Sequence, residues 1–433
     1  MRKTYAELRR EINYDSLVAE LRRDFLAVPD HRASNVVHSL GNVLMSGYAI
    51  FTLKYPSLLC FEKQTAKQRA NLQQLFGIDK VCSDAQMRRV LDEVEPDKIQ
   101  ALFPKRFDLL KKLGILSDYR FLKKYLLISI DGVHYFESNK INCKRCIEKK
   151  HRNGEISYNH SMLGVALVHP NRKEVFTLGG EAIEKQDGQT KNDCEINAAK
   201  RLQSNLYENY KGMPFVIIED ALYANEPHIQ QIHSNKWDFI INVKPSSHKV
   251  LFTLFEARKS RNQIKTHIIQ EGKTTHYFYW MKNVPLNGQG NVRVNFLYYE
   301  EHKPNAKIKR FSWVTSLDIR KSKVYQIMKG GRSRWKIENE GFNTLKNQGY
   351  NFEHNYGHGY NHLCNVMAHL MLLAFLIDQM VQTFSRIFKL VWDKASSKIS
   401  LWEHIRAVYL TKFVNSFKEL FFFLAEIYEV QLE

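Results

Sequence analysis

Three acidic residues in this sequence stand where their surroundings suit a metal ion. Asp131 follows the apolar run Leu126-Leu127-Ile128-Ser129-Ile130, and Asp220 follows Phe215-Val216-Ile217-Ile218-Glu219. The third, Glu338, lies in Arg334-Trp335-Lys336-Ile337-Glu338-Asn339-Glu340-Gly341-Phe342-Asn343-Thr344-Leu345-Lys346. That stretch reads as one short helix, weakened only by Gly341, which costs about 1 kcal/mol relative to Ala. An acid directly after a buried strand projects from the carboxyl end of a sheet, where α/β ligands bind. Carboxylates converging there repel one another unless cations sit between them, and hard divalent ions with oxygen ligands, Mg²⁺ or Mn²⁺, suit that position. A single strand-end aspartate is more often a turn cap; the pair together with Glu338 favours a metal site. The cations Arg332, Arg334, Lys336 and Lys346 around Glu338 suit the phosphates of a polyanion, with a solvated basic face as the plain alternative.

The elements that must carry these acids follow from the apolar pattern. Residues 125–130, 162–169, 174–178 and 215–218 read as strands of a buried sheet, and 192–207 as a polar helix before the last of them. This alternation predicts an α/β core with partly parallel strands. Residues 1–120 read as a helical N-terminal region, with apolar residues at helical spacing over 16–26 and 36–53. Residues 64–76, the turn Gly77-Ile78-Asp79 and residues 83–94 have the outline helix, turn, helix. Ser83 and Gln86 form a capping box for the second helix. Its Gln86, Arg88 and Arg89 either face a DNA groove or belong to an ordinary helical hairpin. Inside the core, 121–383, residues 246–320 read as a β-rich insertion. Its strands, at 275–281, 292–299 and 310–317, are separated by turns such as Asn287-Gly288-Gln289-Gly290. Residues 361–384 are apolar nearly all round, and the helical C-terminal region, 384–433, carries amphipathic pattern over 401–430.

Composition narrows the partners. A chain of 433 residues has room for two or three domains, and 44% apolar with 12% aromatic residues is a globular composition. The net charge of +19 attracts nucleic acid or an anionic membrane. The longest apolar run, 370–377, falls well short of the roughly 18 residues of a membrane span and is flanked by His369 and Asp378. It reads as a buried helix, so no membrane partner is expected. No apolar signal region follows Met1-Arg2-Lys3-Thr4-Tyr5, and six cysteines in so long a chain make no disulfide framework. A reduced cytoplasm is the expected setting. Gly179-Gly180 and Gly330-Gly331 lack the spacing and lysine of a phosphate loop, so no nucleotide cofactor is expected. Cys143-Lys144-Arg145-Cys146, followed by His151 and His160, has the ligand types of a zinc knuckle. The two histidines are spaced too widely for a finger, so reduced cysteines in a hairpin between the first two strands are preferred to zinc at Cys143 and Cys146.

Taken together, the acids and their settings resemble the DD-E transposases of bacterial insertion sequences, in the cut-and-paste group marked by a Tyr-Arg-Glu-Lys signature. The first acid follows the first strand, as in Ser129-Ile130-Asp131-Gly132. The second is succeeded by a tyrosine, as in Asp220-Ala221-Leu222-Tyr223. The third lies in a pattern close to Arg-Trp-x-Ile-Glu, matched by Arg334 to Glu338. The resemblance covers roughly residues 35–380 and includes the β-rich insertion between the second and third acids. It departs from the signature twice. Gly331 stands where the tyrosine belongs, and Lys346 follows Glu338 by eight positions rather than seven. A one-residue insertion near Glu340-Gly341, taken up as a helix bulge, accounts for the second departure; Glu338 is preferred to Glu340 as the third acid.

The resemblance implies an RNase H-like core and a two-metal site, with Asp131 bridging both ions and Asp220 and Glu338 each completing one. It further implies double-stranded DNA as substrate, both transposon ends and target, and a homodimer that pairs two ends, with 401–430 as a candidate interface. Trp280 is a candidate for stacking on a flipped base, with a core role as the favoured alternative. Two other readings compete: an RNase H-like nuclease without transposition, and a non-catalytic DNA-binding relic acting as a repressor. A basic N-terminal region and a β insertion argue against the first, and three intact acids argue against the second.

Overall fold

A computed structural model describes residues 4–33, 35–185, 191–288 and 290–431 of the chain. Gln289 of the expected turn lies outside the described residues. Eleven strands form one mixed sheet: β1 (Arg120–Phe121), β2 (Tyr125–Ser138), β3 (Ile147–Lys150), β4 (Ile156–Val168), β5 (Phe176–Ile183), β6 (Phe215–Glu219), β7 (Asp238–Asn242), β8 (Lys265–Glu271), β9 (Thr274–Pro285), β10 (Arg293–His302) and β11 (Lys309–Thr315). Their order is β3-β4-β2-β6-β7-β11-β10-β9-β8, with β5 also on β4 and β1 on β2. Strands β2, β4 and β5 are antiparallel neighbours, whereas β2, β6 and β7 run parallel. Parallel neighbours need crossover connections. The helices Lys191–Asn209 and Glu226–Ser234 supply them, reaching β6 and β7 respectively.

Two expectations about the strands change. Asp131 does not end its strand: β2 continues to Ser138, paired with β4 from Leu127↔Val168 to Ser138↔Tyr158. What ends near Asp131 is the parallel pairing with β6, whose last partners are Ser129↔Ile218. The apolar run fades there because one face of the β2–β4 ribbon leaves the core, yet the ladder goes on. Second, the strands of 246–320 extend the central sheet, because β11 pairs with β7 through Trp313↔Asn242 and Thr315↔Ile240. The aromatic residues of this region form its interior: Phe278, Trp280, Tyr299 and Trp313 are all buried. Trp280 is therefore a core residue and not a stacking platform. The helix Lys249–Ser260, which precedes β8, was not expected.

Around the sheet the helical segments share a single apolar cluster that runs from Tyr14 to Ala425. Its axis is the helix Leu363–Phe384, long and apolar enough by composition to cross a membrane but almost wholly buried. It packs on the helix Leu40–Thr52 and on β5. Its start is capped from afar, as the Asp92 carboxylate accepts the backbone N–H groups of Tyr360, Asn361, His362 and Leu363 at 2.9–3.1 Å. Burial opposes the charge on Asp92, but those four donors hold its pKa below the usual carboxylate range. The predicted helix 64–76 is broken into Leu58–Thr65 and Arg69–Phe76. Tertiary contacts explain the break: Gln68 and Asn71 turn their amides to the carbonyls of Leu410, Tyr409 and Lys412 beyond the break. Ser83 caps the helix Asp84–Asp92, but Gln86 accepts from Arg89 at 2.8 Å, so only half of the capping box is made. The C-terminal pattern resolves into Lys398–Thr411 and Phe417–Ile427. Their apolar faces pack inside the chain, Phe417 against Tyr14 and Phe76, leaving Phe413, Phe422 and Ile427 exposed.

The glycine at 331 also has a structural cause. The helix Val324–Arg332 lies so close to the sheet that a Cβ on Gly331 would stand 2.6 Å from the indole nitrogen of Trp313. No tyrosine fits there. Gly331→Ala is expected to destabilise the protein by about 1–3 kcal/mol through overpacking, read as a lowered thermal midpoint; an unchanged midpoint would mean that this helix shifts freely on the sheet.

Candidate active site

Asp131 on β2, Asp220 immediately after β6 and Glu338 on the helical segment after Val324–Arg332 come together on one side of the sheet. Burial, then Glu338 and Asp220, push the Asp131 pKa up to about 6 against the opposing pull of Arg334. Arg334 donates to Asp131 Oδ2 at 2.5 Å, and its other terminal nitrogen lies 3.8 Å from Glu338 Oε2. The guanidinium is only 12% exposed and fills the place between two acids where a cation is electrostatically required. Ser129 Oγ donates to the Arg334 carbonyl at 3.0 Å, tying the helix start to β2. Asp220 accepts from the Leu222 N–H at 2.9 Å, and Gly132 N–H donates to Asp131 Oδ1 at 3.0 Å. Asp220 thus also makes the turn-type contact expected of a capping residue, whereas the Asp131 contact lies within the continuing strand β2.

The Glu338 segment is helical, with one irregularity. Residues Ile337–Phe342 form a π-helical turn, followed by the helix Asn343–Asn347. A π turn holds one residue more than an α turn, which is the inserted residue that spacing had suggested near Glu340-Gly341. The extra residue is accommodated because Phe342 lies over Gly164, the partner of Asp131 on β4; a Cβ on Gly164 would stand 2.6 Å from the Phe342 ring. Glu338 is 58% exposed at the acid cluster. Glu340 acts instead on Lys336 and Lys398.

Sequence reasoning passed over one acid. Glu195, on the helix Lys191–Asn209, lies 3.7 Å from where a Cβ of Gly132 would be, and it acts with Asp220 and Asp131 on the buried Tyr223. A single glutamate on a polar helix carries no signal of its own, and only the crossover between β5 and β6 brings it here. Directly beneath Asp220, the wholly buried Glu219 pairs with His228 at 2.7 Å. Tyr223 packs on the same histidine ring at 5.2 Å.

The basic residues are near the acids but already partnered. Arg332 pairs with Glu301 at 2.9 Å and stacks on Phe311 at 5.0 Å. Lys336, half-buried and with its pKa lowered by that burial, donates to the Arg172 carbonyl. Lys346 pairs with Glu353 at 2.6 Å, and Arg88 lies 3.4 Å from Asp84. The exposed pairs Lys346–Glu353 and Arg88–Asp84 are worth little, so phosphate oxygens can replace those carboxylates at small cost, whereas Glu301, the partner of Arg332, is buried. Lys303, Lys329, Arg332 and Lys336 line a cleft of about 350 Å³ next to the Glu338 segment. Trp335, half exposed, stands at a neighbouring cleft.

The cysteines of the suggested knuckle also have close neighbours. Cys143, Cys146, His160 and His358 bring their donor atoms within 4.8 Å of one another. His151 is elsewhere, its Nε2 2.8 Å from Ser157 Oγ.

Comparison with known proteins gives one family. Residues 172–377 match the family described as a transposase DDE domain. The matched segment contains Asp220 and Glu338, and Asp131 lies upstream of it. No curated protein matches the chain.

Proposed function

We propose, on the match of residues 172–377 to a transposase DDE domain, that the chain is a DDE transposase that cuts DNA at the ends of an insertion sequence and joins them to target DNA. The observation that carries this reading is the convergence of three acids: Arg334 lies between Asp131 and Glu338, and Asp220 and Glu338 both act on the Asp131 charge. The sheet order β5-β4-β2-β6-β7, antiparallel then parallel, supports an RNase H-like core with 246–320 as an insertion that lengthens it.

The donor set suits hard divalent ions: three carboxylates, of which Asp131 has its pKa raised by burial and by the two neighbouring acids. Asp131, Asp220 and Glu338 would hold Mg²⁺ or Mn²⁺ there. Bound there, such ions activate water or a 3′-hydroxyl and stabilise the leaving oxygen of an in-line displacement at phosphorus. The chain's own residues do the rest. Arg334 keeps Asp131 and Glu338 together until the site is loaded. Arg332, Lys336 and Lys346 hold phosphates near the cut, and Arg88 and Arg89 on the N-terminal region contact the DNA end. The site of work is the nucleoid of a bacterial cytoplasm, with two copies pairing two ends.

The test is cleavage of end-labelled DNA carrying the gene's own flanking sequences, with Mg²⁺ or Mn²⁺ and with chelator. Nicking at a fixed flank position, lost on chelation, is expected. Cutting that ignores the flanks would instead make this a general nuclease, and tight binding without cutting a repressor-like relic.

A further inference from the structure

We propose that Cys143, Cys146, His160 and His358 form a closed tetrahedral zinc site that fastens the β2–β4 ribbon to the loop behind the Glu338 segment. Zinc with two thiolates and two imidazoles has bonds of about 2.3 Å to sulfur and roughly 2.0–2.1 Å to nitrogen. A tetrahedron of those bonds has edges of about 3.8 Å between sulfurs, about 3.5 Å from sulfur to nitrogen and about 3.3 Å between nitrogens. Five of the six separations already stand close to these values, and all four donor atoms lie within 4.8 Å of one another. The two Sγ atoms are 3.8 Å apart, each is 3.4 Å from His160 Nε2, and His358 Nε2 is 3.2 Å from both Cys146 Sγ and His160 Nε2. Sulfurs 3.8 Å apart are a reduced pair, since a disulfide requires about 2.05 Å.

The surroundings are those of a ligand set. The Cys143 carbonyl accepts the Cys146 N–H at 3.2 Å, the tight turn that points both thiols the same way. His358 Nδ1 lies 2.7 Å from the Gly359 carbonyl, which fixes the proton on that nitrogen and leaves Nε2 as the donor. Phe136 packs on both imidazoles, at 4.6 Å and 5.8 Å. Cys146, His160 and His358 are buried, so the set leaves no open coordination position and reads as structural. Two thiolates would neutralise the ion in a chain of net charge +19.

The site joins distant parts of the chain. Cys143 and Cys146 lie between β2 and β3, and His160 is on β4, facing Phe136 of β2. His358 comes from the irregular segment between the helices Asn343–Asn347 and Leu363–Phe384. Zinc there would bind the ribbon that carries Asp131 to the segment leaving Glu338.

Metal content of the full chain, purified in reductant without chelator, tests this directly. One zinc per chain is expected. Replacement by Co²⁺ should give the intense visible bands of tetrahedral cobalt with thiolate-to-metal charge transfer. His358→Ala should lose the metal, and His151→Ala should keep it. A wild type that holds no zinc even after incubation with Zn²⁺, a cobalt spectrum without thiolate bands, or a soluble His358→Ala with undiminished zinc would each overturn the proposal. The cobalt spectrum of the wild type decides the donor set even where a variant does not fold.

Discussion

Asp131→Ala and Asp220→Ala should each lower strand cleavage by about 10³-fold or more while leaving binding of the flanking DNA within a few-fold. Losing one metal-holding carboxylate removes several kcal/mol of transition-state charge stabilisation, and each 1.36 kcal/mol is tenfold in rate. In the proposed function, binding rests instead on the basic residues around the site. The same assay separates the two candidate glutamates. Glu338→Gln should match the aspartate variants, since Glu338 shares Arg334 with Asp131. Glu340→Gln should cleave at close to the wild-type rate, because Glu340 acts on Lys336 and Lys398. Acidity supplies a further sign. Burial holds the Asp131 pKa at about 6, so the folded chain takes up this proton more readily than the unfolded one. The stability that protonation contributes is present at low pH and is lost as pH rises towards about 6. Metal binding needs the opposite form, so at fixed Mg²⁺ cleavage should fall as pH is lowered through about 6, and excess metal should move that midpoint down. Full cleavage by Asp220→Ala would refute the site.

Much of that site was legible because its carriers are local patterns. An acid closing an apolar run can be read from a few neighbouring residues, and so can Arg-Trp-x-Ile-Glu. Even the π turn at Ile337–Phe342 left its mark as a lysine displaced by one position. What could not be read depends on distant chain segments. Glu195 joins the acids only through the crossover helix, and His358 meets Cys146 from 212 residues further along the sequence. His151 was the wrong second histidine for a related reason. Proximity in sequence put it forward, but the β3–β4 turn gives it Ser157 as a partner. The continuation of the sheet into β8–β11 was likewise hidden, because it rests on β11 pairing with β7, and composition says nothing about which edge a strand will choose.

Lys54→Met should destabilise the protein by about 3–5 kcal/mol, the cost of breaking a buried ion pair by removing one partner. Lys54 reads in the sequence as an ordinary cation after an apolar helix, yet its side chain is wholly buried, its ammonium 2.8 Å from Asp378 Oδ2. Asp378, which the apolar pattern placed at the flank of a buried run, is the centre of a polar group inside the core. Tyr14 donates to its Oδ1 at 2.8 Å, and Tyr350 donates to Oδ2. Burial lowers the Lys54 pKa against the pull of Asp378 and raises those of Tyr14 and Tyr350. Lys54 also lies 4.1 Å and 4.2 Å above the rings of Tyr350 and Trp402. One carboxylate therefore joins four parts of the chain: the helix Tyr14–Leu26, Lys54 two residues after Leu40–Thr52, the segment beyond Lys346 and the helix Leu363–Phe384. Lys54→Met leaves that carboxylate without its cation, and Asp378→Asn leaves the ammonium without its anion, so each should cost a similar amount. The double variant should cost clearly less than the sum, because neither charge then remains alone. Denaturant unfolding of the four proteins measures this. A Lys54→Met midpoint within error of the wild type, or strict additivity in the double variant, would mean that the pair is not what holds the N-terminal helices to the core. With that attachment lost, the N-terminal helices would no longer be held in register with Asp131, Asp220 and Glu338.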